Sequence, residues 1–326
     1  MSDYAMSCPA PGGPEAFERR EITVPDPGPG EALIRHTAIG LNYLDTYHRS
    51  GLYSWPVERD LVPGSDGAGV VEAVGEGVTL VAPGDRVAYT VPFNAYCTRR
   101  IVPADRLVAI PEGVSDADAA SLMIKGLTAH YLIHSTFRVG PEHVVLNQAG
   151  AGGVGLLLGQ WLATKGCTSI ATAGGPEKVA LAKAAGYDHV IDYRAEDFVE
   201  RVREITGGEG CHAVYDSVGN DTWRGSLKCL RPRGMMVTFG QSSGPIEGFT
   251  LGDLAAGGSL FITRPTLFNH VATREELAWR AREMFALVAE GRLKANVNQE
   301  FPLEAVATAH RALEGRATTG ATVLLP

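Results

Sequence analysis

The sequence predicts an α/β protein of two domains, one β-rich and the other a doubly wound, six-stranded parallel sheet. Three observations lead to this fold class. From Gly140 onward, apolar strand-like runs alternate with helix-like segments. A glycine-rich turn follows the first of these runs. The first third of the chain instead has short strand-like runs separated by glycines and little helical periodicity.

Composition sets the limits of the interpretation. The 326 residues are 45% hydrophobic and 20% charged, which is typical of a soluble globular protein with about two domains. The formal charge of −8 disfavours non-specific binding to nucleic acid or anionic membranes. No apolar run approaches the roughly 20 residues of a membrane span. Five cysteines without a C-x-x-C pair favour free thiols, so we expect a cytoplasmic protein.

In the first domain, the patterns predict strands over 32–39, 70–74 and 86–91, with a short helix over 42–49. Ser115 is a plausible N-cap for a helix that reaches about His134. In the second domain, we expect strands at 143–148, 168–173, 189–192, 212–217, 235–239 and 259–263. Helices fit between them at 154–165, 176–185, 195–205 and 221–230.

The C-terminal region continues with a capping box, Thr273 to Glu276, at the start of a long helix. A last helix over about 303–314 and a strand over 321–325 end the chain. That strand has no parallel position in a complete six-stranded sheet, so we assign it to the first domain. The predicted domains are therefore 1–124 with 266–326, and 125–265.

The glycine turn carries the first functional signal. Gly150, Gly152 and Gly155 give the spacing G-x-G-x-x-G between an apolar run and a helix. Such glycines permit a tight turn, a close approach of backbone to a pyrophosphate, and packing of helix on strand. The anion then lies at the positive end of the helix. This context predicts a dinucleotide site; the alternative is an ordinary tight turn.

Several segments identify a family. They are GLNYLDTY at 40–47, RSGLY at 49–53, PGDRV at 83–87, KGLT at 125–128, YDSVG at 215–219, FGQSS at 239–243 and Thr-Arg-Pro at 263–265. With the glycine turn, they resemble the NADPH:quinone oxidoreductase (zeta-crystallin-like) branch of the medium-chain dehydrogenase/reductases over nearly the whole length. The resemblance implies a GroES-like catalytic domain, a Rossmann domain and a cofactor in the cleft between them.

The zinc ligands of related alcohol dehydrogenases are not present. Those enzymes have a His-Glu pair where this chain has Ser65-Asp66, and Cys97 stands alone where a structural site needs clustered thiols. His130 and His134 could share a helix face, but a third ligand is not evident. We therefore expect no metal and a zinc-independent activity.

The expected chemistry is hydride transfer to an acceptor that is already electron-poor, since no metal polarises it. By resemblance, Asn42, Tyr47 and Tyr53 face the nicotinamide and are the catalytic candidates. They could orient an acceptor carbonyl and stack on a flat ring, although each tyrosine could equally be a packing residue. No side chain stands out as an obligatory acid, and a reduced quinone can take its protons from water.

The cofactor is expected to be NADPH. NAD-specific folds place an acidic residue about 20 residues beyond the glycine turn, whereas here the second strand leads into Gly174-Gly175-Pro176. By resemblance, Lys178 and Tyr193 reach the 2′-phosphate, and Arg194 is next to Tyr193. The resemblance implies cofactor contacts at Asn42, Thr128, Gly152, Gly153, Val154, Gly174, Lys178, Tyr193, Ser217, Gly240, Ser242, Ser243, Arg264 and Arg316. Arg264 and Arg316 could equally pair with surface carboxylates.

These observations predict an NADPH-dependent, zinc-independent quinone reductase. An alkenal or enoyl reductase with the same cofactor is the nearest alternative. A non-enzymatic NADPH-binding protein, crystallin-like or RNA-binding, is an alternative of another class, which the negative charge and the lack of a basic stripe disfavour. The uncharged segment 258–263 would form the sheet edge and predicts a homodimer through this strand; the alternative is an edge covered by the helix at 273–290.

Overall fold

The computed structural model describes residues 2–326 and shows two compact units. The first unit comprises the chain up to Leu127 together with Val271–Pro326, and the second unit is Thr128–His270. Each unit has its own sheet and its own apolar core. Among residues 2–326, no helix is both long enough and apolar enough to cross a lipid bilayer.

The first unit is built around a mainly antiparallel sheet. Its N-terminal part contains β1 (Tyr4–Ser7), β2 (Glu18–Glu21), β3 (Glu31–Leu41), α1 (Tyr43–Arg49), β4 (Asp66–Val74), β5 (Arg86–Thr90), β6 (Arg99–Pro103), β7 (Leu107–Ala109) and the start of α2 (Asp116–Tyr131). The sequence did not reveal β2. Its four residues, Glu-Arg-Arg-Glu, are all exposed and pair only with β1, so no apolar alternation marks the strand.

The second unit contains the predicted alternation. Its elements are β8 (Val144–Asn147), α3 (Gly153–Ala163), β9 (Thr168–Ala173), α4 (Pro176–Ala184), β10 (His189–Asp192), α5 (Phe198–Ile205), β11 (Cys211–Asp216), α6 (Trp223–Lys228), β12 (Leu230–Thr238), α7 (Leu251–Ala256), β13 (Phe261–Thr263) and α8 (Leu267–His270). All neighbouring strands are parallel, in the order β10-β9-β8-β11-β12-β13. Numbered along the second unit, the strands lie in the order 3-2-1-4-5-6 of a doubly wound sheet, so the expected six-stranded parallel sheet is confirmed.

The chain then returns to the first unit through α9 (Arg274–Ala289), β14 (Val297–Pro302), α10 (Val306–Glu314) and β15 (Ala321–Leu325). The Thr273 side chain accepts a hydrogen bond from the Glu276 N–H and caps α9, as the sequence predicted. Strand β15 lies between β14 and β3, so the last strand does belong to the first sheet. Strand β3 pairs with β4, β6 and β15 and ends at the start of α1, which fixes the position of that helix.

Candidate active site

The glycine turn of the second unit joins β8 to α3. Gly152 is the N-cap of α3, and a Cβ at Gly150 would lie 2.6 Å from the Ala171 Cβ in β9. A Cβ at Gly155 would overlap the Ala149 carbonyl oxygen. These positions therefore require glycine so that α3 can begin close to the sheet. The first N–H groups of a helix have no intrahelical acceptor, so Gly153 and Val154 present donors suited to an anion.

The turn after β9 lies against the segment that follows β10. A Cβ at Gly174 would overlap the Tyr193 hydroxyl, so that ring lies directly against the Gly174 backbone. The Arg194 guanidinium is 3.4 Å from the Cβ position of Gly175. Lys178 lies in the first turn of α4 and is half-buried. Sequence reasoning did not include Arg194 among the cofactor contacts, and its only signal was its place beside Tyr193.

An acidic residue does lie near this turn, and one of its oxygens binds backbone N–H groups. Asp192 Oδ1 accepts hydrogen bonds from the N–H groups of Gly175 (2.9 Å) and Arg194 (3.0 Å). These two bonds lower the pKa of the Asp192 carboxyl. The carboxylate therefore organises the backbone of the turn, and the positive charge of Arg194 acts on it as well.

Five further predicted contacts of the second unit lie just beyond the carboxyl ends of β11, β12 and β13. A Cβ at Gly240, after β12, would lie 2.6 Å from the carbonyl oxygen of Ser217, after β11. The Ser242 N–H donates to the same Ser217 oxygen (3.2 Å), and the Ser243 hydroxyl donates to the Val218 oxygen (2.8 Å). Arg264 follows β13 and donates to the Gly240 oxygen (2.9 Å). Ligands of doubly wound sheets bind at this edge. Thr128 is buried on α2.

In the first unit, Asn42 is held between two charged side chains. It is the N-cap of α1 and is 5% exposed. Lys125 Nζ donates to Asn42 Oδ1 (2.7 Å) and to the Leu41 oxygen (3.0 Å). Asn42 Nδ2 donates to Asp66 Oδ1 (3.1 Å), while Asp66 Oδ2 accepts from the Ile124 N–H (3.1 Å). Sequence reasoning missed Lys125 and Asp66 as site residues, although both lie in motifs that it examined.

A second chain of hydrogen bonds reaches the same helix. Asp45 Oδ2 accepts from the Asn42 N–H and from the Tyr96 hydroxyl, each at 2.8 Å. Arg49 donates to His310 Nδ1 (3.0 Å), so His310 Nε2 carries the hydrogen and donates to the Tyr96 oxygen (3.1 Å). Burial lowers the pKa of His310 to about 3, in agreement with a neutral ring. Arg49 also forms a bidentate ion pair with Glu314.

The buried charges near Asn42 are unequal. Two carboxyl groups, Asp45 and Asp66, share one ammonium, Lys125, and all three side chains are buried. Burial raises the pKa of Asp45 to about 6, and one of its oxygens has no hydrogen-bond partner in the described part of the chain. Burial also raises the pKa of Asp66 and lowers that of Lys125, while attraction between the two opposes both changes.

The two candidate tyrosines pack against each other. Their ring centroids are 5.3 Å apart with an interplanar angle of 56°. Tyr47 lies on α1 and is 9% exposed. The Tyr53 backbone N–H donates to the Tyr47 backbone carbonyl oxygen (3.0 Å). Arg316 follows α10, and its charge acts on Tyr43, whose pKa is raised mainly by burial. The three catalytic candidates lie along one short stretch of chain: Asn42 caps α1, Tyr47 lies within the helix, and Tyr53 follows it.

The positions of the family's zinc ligands do not fit a metal. Ser65 is buried with a neutral hydroxyl, and the Asp66 carboxylate already accepts from Asn42 and Ile124. Burial raises the pKa of Cys97 to about 12, which disfavours the thiolate that zinc needs. His134 has both ring nitrogens in hydrogen bonds, with the His130 oxygen (2.9 Å) and Lys165 Nζ (2.9 Å).

Comparison with known proteins places these features in context. Residues 28–138 match the alcohol dehydrogenase GroES-like domain, and residues 153–280 match the zinc-binding dehydrogenase family. The chain is 47% identical to a quinone oxidoreductase from Pseudomonas aeruginosa over 97% of both chains, and 44% identical to a 2-haloacrylate reductase from a Burkholderia species over 97% of this chain and 96% of that one. The structure of Escherichia coli quinone oxidoreductase complexed with NADPH superimposes with a TM-score of 0.96, at 43% identity over 99% of this chain and 100% of that one. The first match confirms the expected GroES-like class of the first unit.

Proposed function

Because the chain belongs to the quinone oxidoreductase family of the medium-chain dehydrogenase/reductases, we propose that it is a zinc-independent oxidoreductase that reduces quinones with NADPH. The observation that carries this proposal is the cationic turn after β9. Lys178 and Arg194 lie there, and one carboxylate oxygen of the nearby Asp192, Oδ1, accepts from two backbone N–H groups. A 2′-phosphate fits such a turn, whereas a ribose hydroxyl would need an acidic acceptor.

The residues present fit this cofactor. The N–H groups of Gly153 and Val154, next to Gly152, would bind the pyrophosphate, and Tyr193 would contact the 2′-phosphate beside Gly174. Ser217, Gly240, Ser242, Ser243 and Arg264, at the ends of β11 to β13, would hold the nicotinamide half, with Thr128, Asn42 and Arg316 as further contacts. When bound, NADPH supplies a hydride. The chain supplies position and exclusion of water.

The acceptor is proposed to bind beside Asn42, Tyr47 and Tyr53. The tyrosine pair offers aromatic surface for a flat ring, and the Asn42 amide offers a hydrogen bond to its carbonyl. The zinc-ligand positions hold Ser65 and an occupied Asp66, so the acceptor must already be electron-poor. A quinone meets this requirement.

Turnover measured with the purified protein tests the proposal. NADPH oxidation is followed against a panel of quinones and alkenals, with NADH in parallel and with and without a chelator. We expect quinone reduction that prefers NADPH and is unchanged by the chelator. Bound zinc, found by elemental analysis and needed for activity, would refute the zinc independence. A preference for NADH would refute the choice of cofactor.

A second candidate function is reduction of activated alkenes. The similarity to the Burkholderia 2-haloacrylate reductase favours it, since that relative is nearly as similar as the quinone oxidoreductase. The same panel separates the two functions. A kcat/KM for alkenals or haloacrylates that exceeds the value for every quinone would assign the alkene reaction.

We also propose a homodimer through β13. Within residues 2–326 this strand pairs only with β12, at one end of the sheet, and Phe261 is 57% exposed. Pairing two copies would cover this apolar edge. Light scattering should give a dimer that Phe261→Lys disrupts. Leu80→Lys, at a 54% exposed site in the first unit, is the matched control and should leave the dimer intact. A wild-type monomer at micromolar concentration would exclude the dimer.

The proposed partners are otherwise small molecules, and the proposed location is the cytoplasm. The five cysteines are free and buried, which suits a reducing compartment. The net charge of −8 disfavours RNA. Titration with RNA at two salt concentrations should show no binding; salt-dependent binding would support the alternative of a nucleic-acid-binding protein.

A further inference from the structure

We propose that Lys125 is the fixed cation of the acceptor site and that it stabilises, through the Asn42 amide, the negative charge that forms on the acceptor oxygen during reduction. This inference rests on the proposed function and assigns a role to a residue outside the predicted site. The role is a positioning and electrostatic one, because Lys125 acts through Asn42.

The two charged neighbours fix the orientation of the Asn42 amide. A lysine ammonium can only donate, so the amide atom 2.7 Å from Lys125 Nζ must be the oxygen. The Asp66 carboxylate oxygen accepts, so the atom 3.1 Å from it must be the nitrogen. Flipping the amide would break both bonds. One N–H of Nδ2 remains after the bond to Asp66, so Asn42 meets a bound acceptor as a hydrogen-bond donor.

The position of Lys125 makes its charge effective. Lys125 is 8% exposed and Asn42 is 5% exposed, so little water screens the electrostatic field between them. A cation at the amide oxygen polarises the amide and strengthens its remaining N–H as a donor. The charged or titratable groups that face Lys125 are Asp66 on β4 and Asp45 on α1. Asp66 also anchors the Ile124 N–H next to Lys125.

The reaction creates the charge that this arrangement would stabilise. Transfer of a hydride, two electrons with one proton, from NADPH to a quinone gives NADP⁺ and a hydroquinone monoanion. A proton from water then completes the hydroquinone. Donors aimed at developing oxyanions accelerate such steps because they are already in place. In the zinc enzymes the metal supplies this positive charge. Here Asp66 stands at a zinc-ligand position, and the nearby positive charge is the Lys125 ammonium.

The kinetics of two variants that differ only in the Lys125 side chain test the inference. Lys125→Met alone leaves two buried carboxyls, so the double variant Lys125→Met/Asp66→Asn is compared with Asp66→Asn to isolate the ammonium. We expect kcat of the double variant to fall roughly tenfold to a hundredfold below that of Asp66→Asn. The KM for NADPH should stay within about twofold. Lys183→Met, on the exposed side of α4, is the control for loss of a lysine.

A binding measurement needs no turnover. With NADP⁺ bound, 4-nitrophenol resembles the reduced acceptor and its phenolate is coloured. Wild-type protein and Asp66→Asn should bind the phenolate about tenfold tighter than the phenol, and the double variant should lose this preference. The inference would be overturned if the double variant kept the kcat of Asp66→Asn, whatever its KM. It would also be overturned if the double variant kept the preference for the phenolate. Wild-type protein that reduces no acceptor would refute the proposed function, and the phenolate measurement would still decide the role of Lys125.

Discussion

The candidate sites of the two units are formed by different kinds of atoms. In the second unit, the backbone of the glycine turn and the ends of parallel strands form most of the surface. In the first unit, side chains form it, and the buried Asn42 contacts both of the buried charged residues Asp66 and Lys125. Backbone donors are neutral and are held by the sheet, whereas buried charges need each other to offset the loss of hydration.

This difference affects how each site tolerates substitution. The backbone site depends on the absence of side chains at a few glycines and accepts change elsewhere, because its donors belong to every residue type except proline. The side-chain cluster depends on the identity of each member, since removing one charge leaves another unpaired. Four single substitutions distinguish the two kinds of site.

Lys125→Met should give the largest loss of stability. It removes the cation that faces Asp45 and Asp66, and breaking a buried pair costs about 3–5 kcal/mol. The free energy of unfolding is measured with urea. Lys125→Met/Asp66→Asn should recover part of the loss, and the exposed Lys183→Met should change little. A single variant within about 1 kcal/mol of wild type would show that the cluster is no more sensitive than the backbone site.

Asp45→Asn should change how stability depends on pH. The pKa of this carboxyl is raised to about 6 in the folded protein, from about 3.9 in an unfolded chain. Its stabilising contribution is thus complete below about pH 4 and is lost as the pH rises through 6. Asparagine cannot ionise, so the variant should gain roughly 2–3 kcal/mol relative to wild type between pH 4 and pH 7. A difference that stays constant with pH would contradict the raised pKa.

Gly155→Ala should weaken the backbone site. The added methyl group would overlap the Ala149 carbonyl oxygen, and α3 would have to move from the sheet. We expect a loss of about 1–3 kcal/mol in unfolding free energy, as for other overpacked sites, with weaker NADPH binding. Gly252→Ala is the control, because it lies on the exposed face of α7 and its nearest neighbour is a side-chain oxygen 3.3 Å away. Equal effects of both changes would refute the packing argument.

Lys178→Ala should have the smallest and most selective effect. A hydrogen bond from lysine to the 2′-phosphate contributes roughly 1.5–3 kcal/mol, and partial exposure lowers this value. NADPH affinity should fall roughly tenfold to a hundredfold, while NADH affinity should hardly change. Fluorescence titration measures both, with Lys183→Ala from the last turn of the same helix as the control. An equal fall for both cofactors would show that Lys178 supports the turn and does not contact the phosphate.

Local patterns were sufficient for much of the second unit. The change from strand to helix periodicity at the glycine turn predicted β8, α3 and their connection, and the alternation of strands with helices predicted the doubly wound parallel sheet. The boundaries were less predictable. Helix α5 begins at Phe198, later than expected, because Asp197 accepts from the N–H groups of Val199 and Glu200 and caps it there.

Sequence patterns alone were enough to identify the fold class and the family, and they predicted the glycine turn as a cofactor site, because these features depend on the spacing of neighbouring residues. Only the tertiary structure decided the contacts of Asn42. Its partners Asp66 and Lys125 are 24 and 83 residues away in the chain, and they meet through the pairing of β3 with β4 and the packing of α2. The tautomer of His310, 261 residues from Arg49, was decided in the same way. Contacts of this kind leave no local pattern, because each residue type is compatible with many surroundings until the chain brings them together.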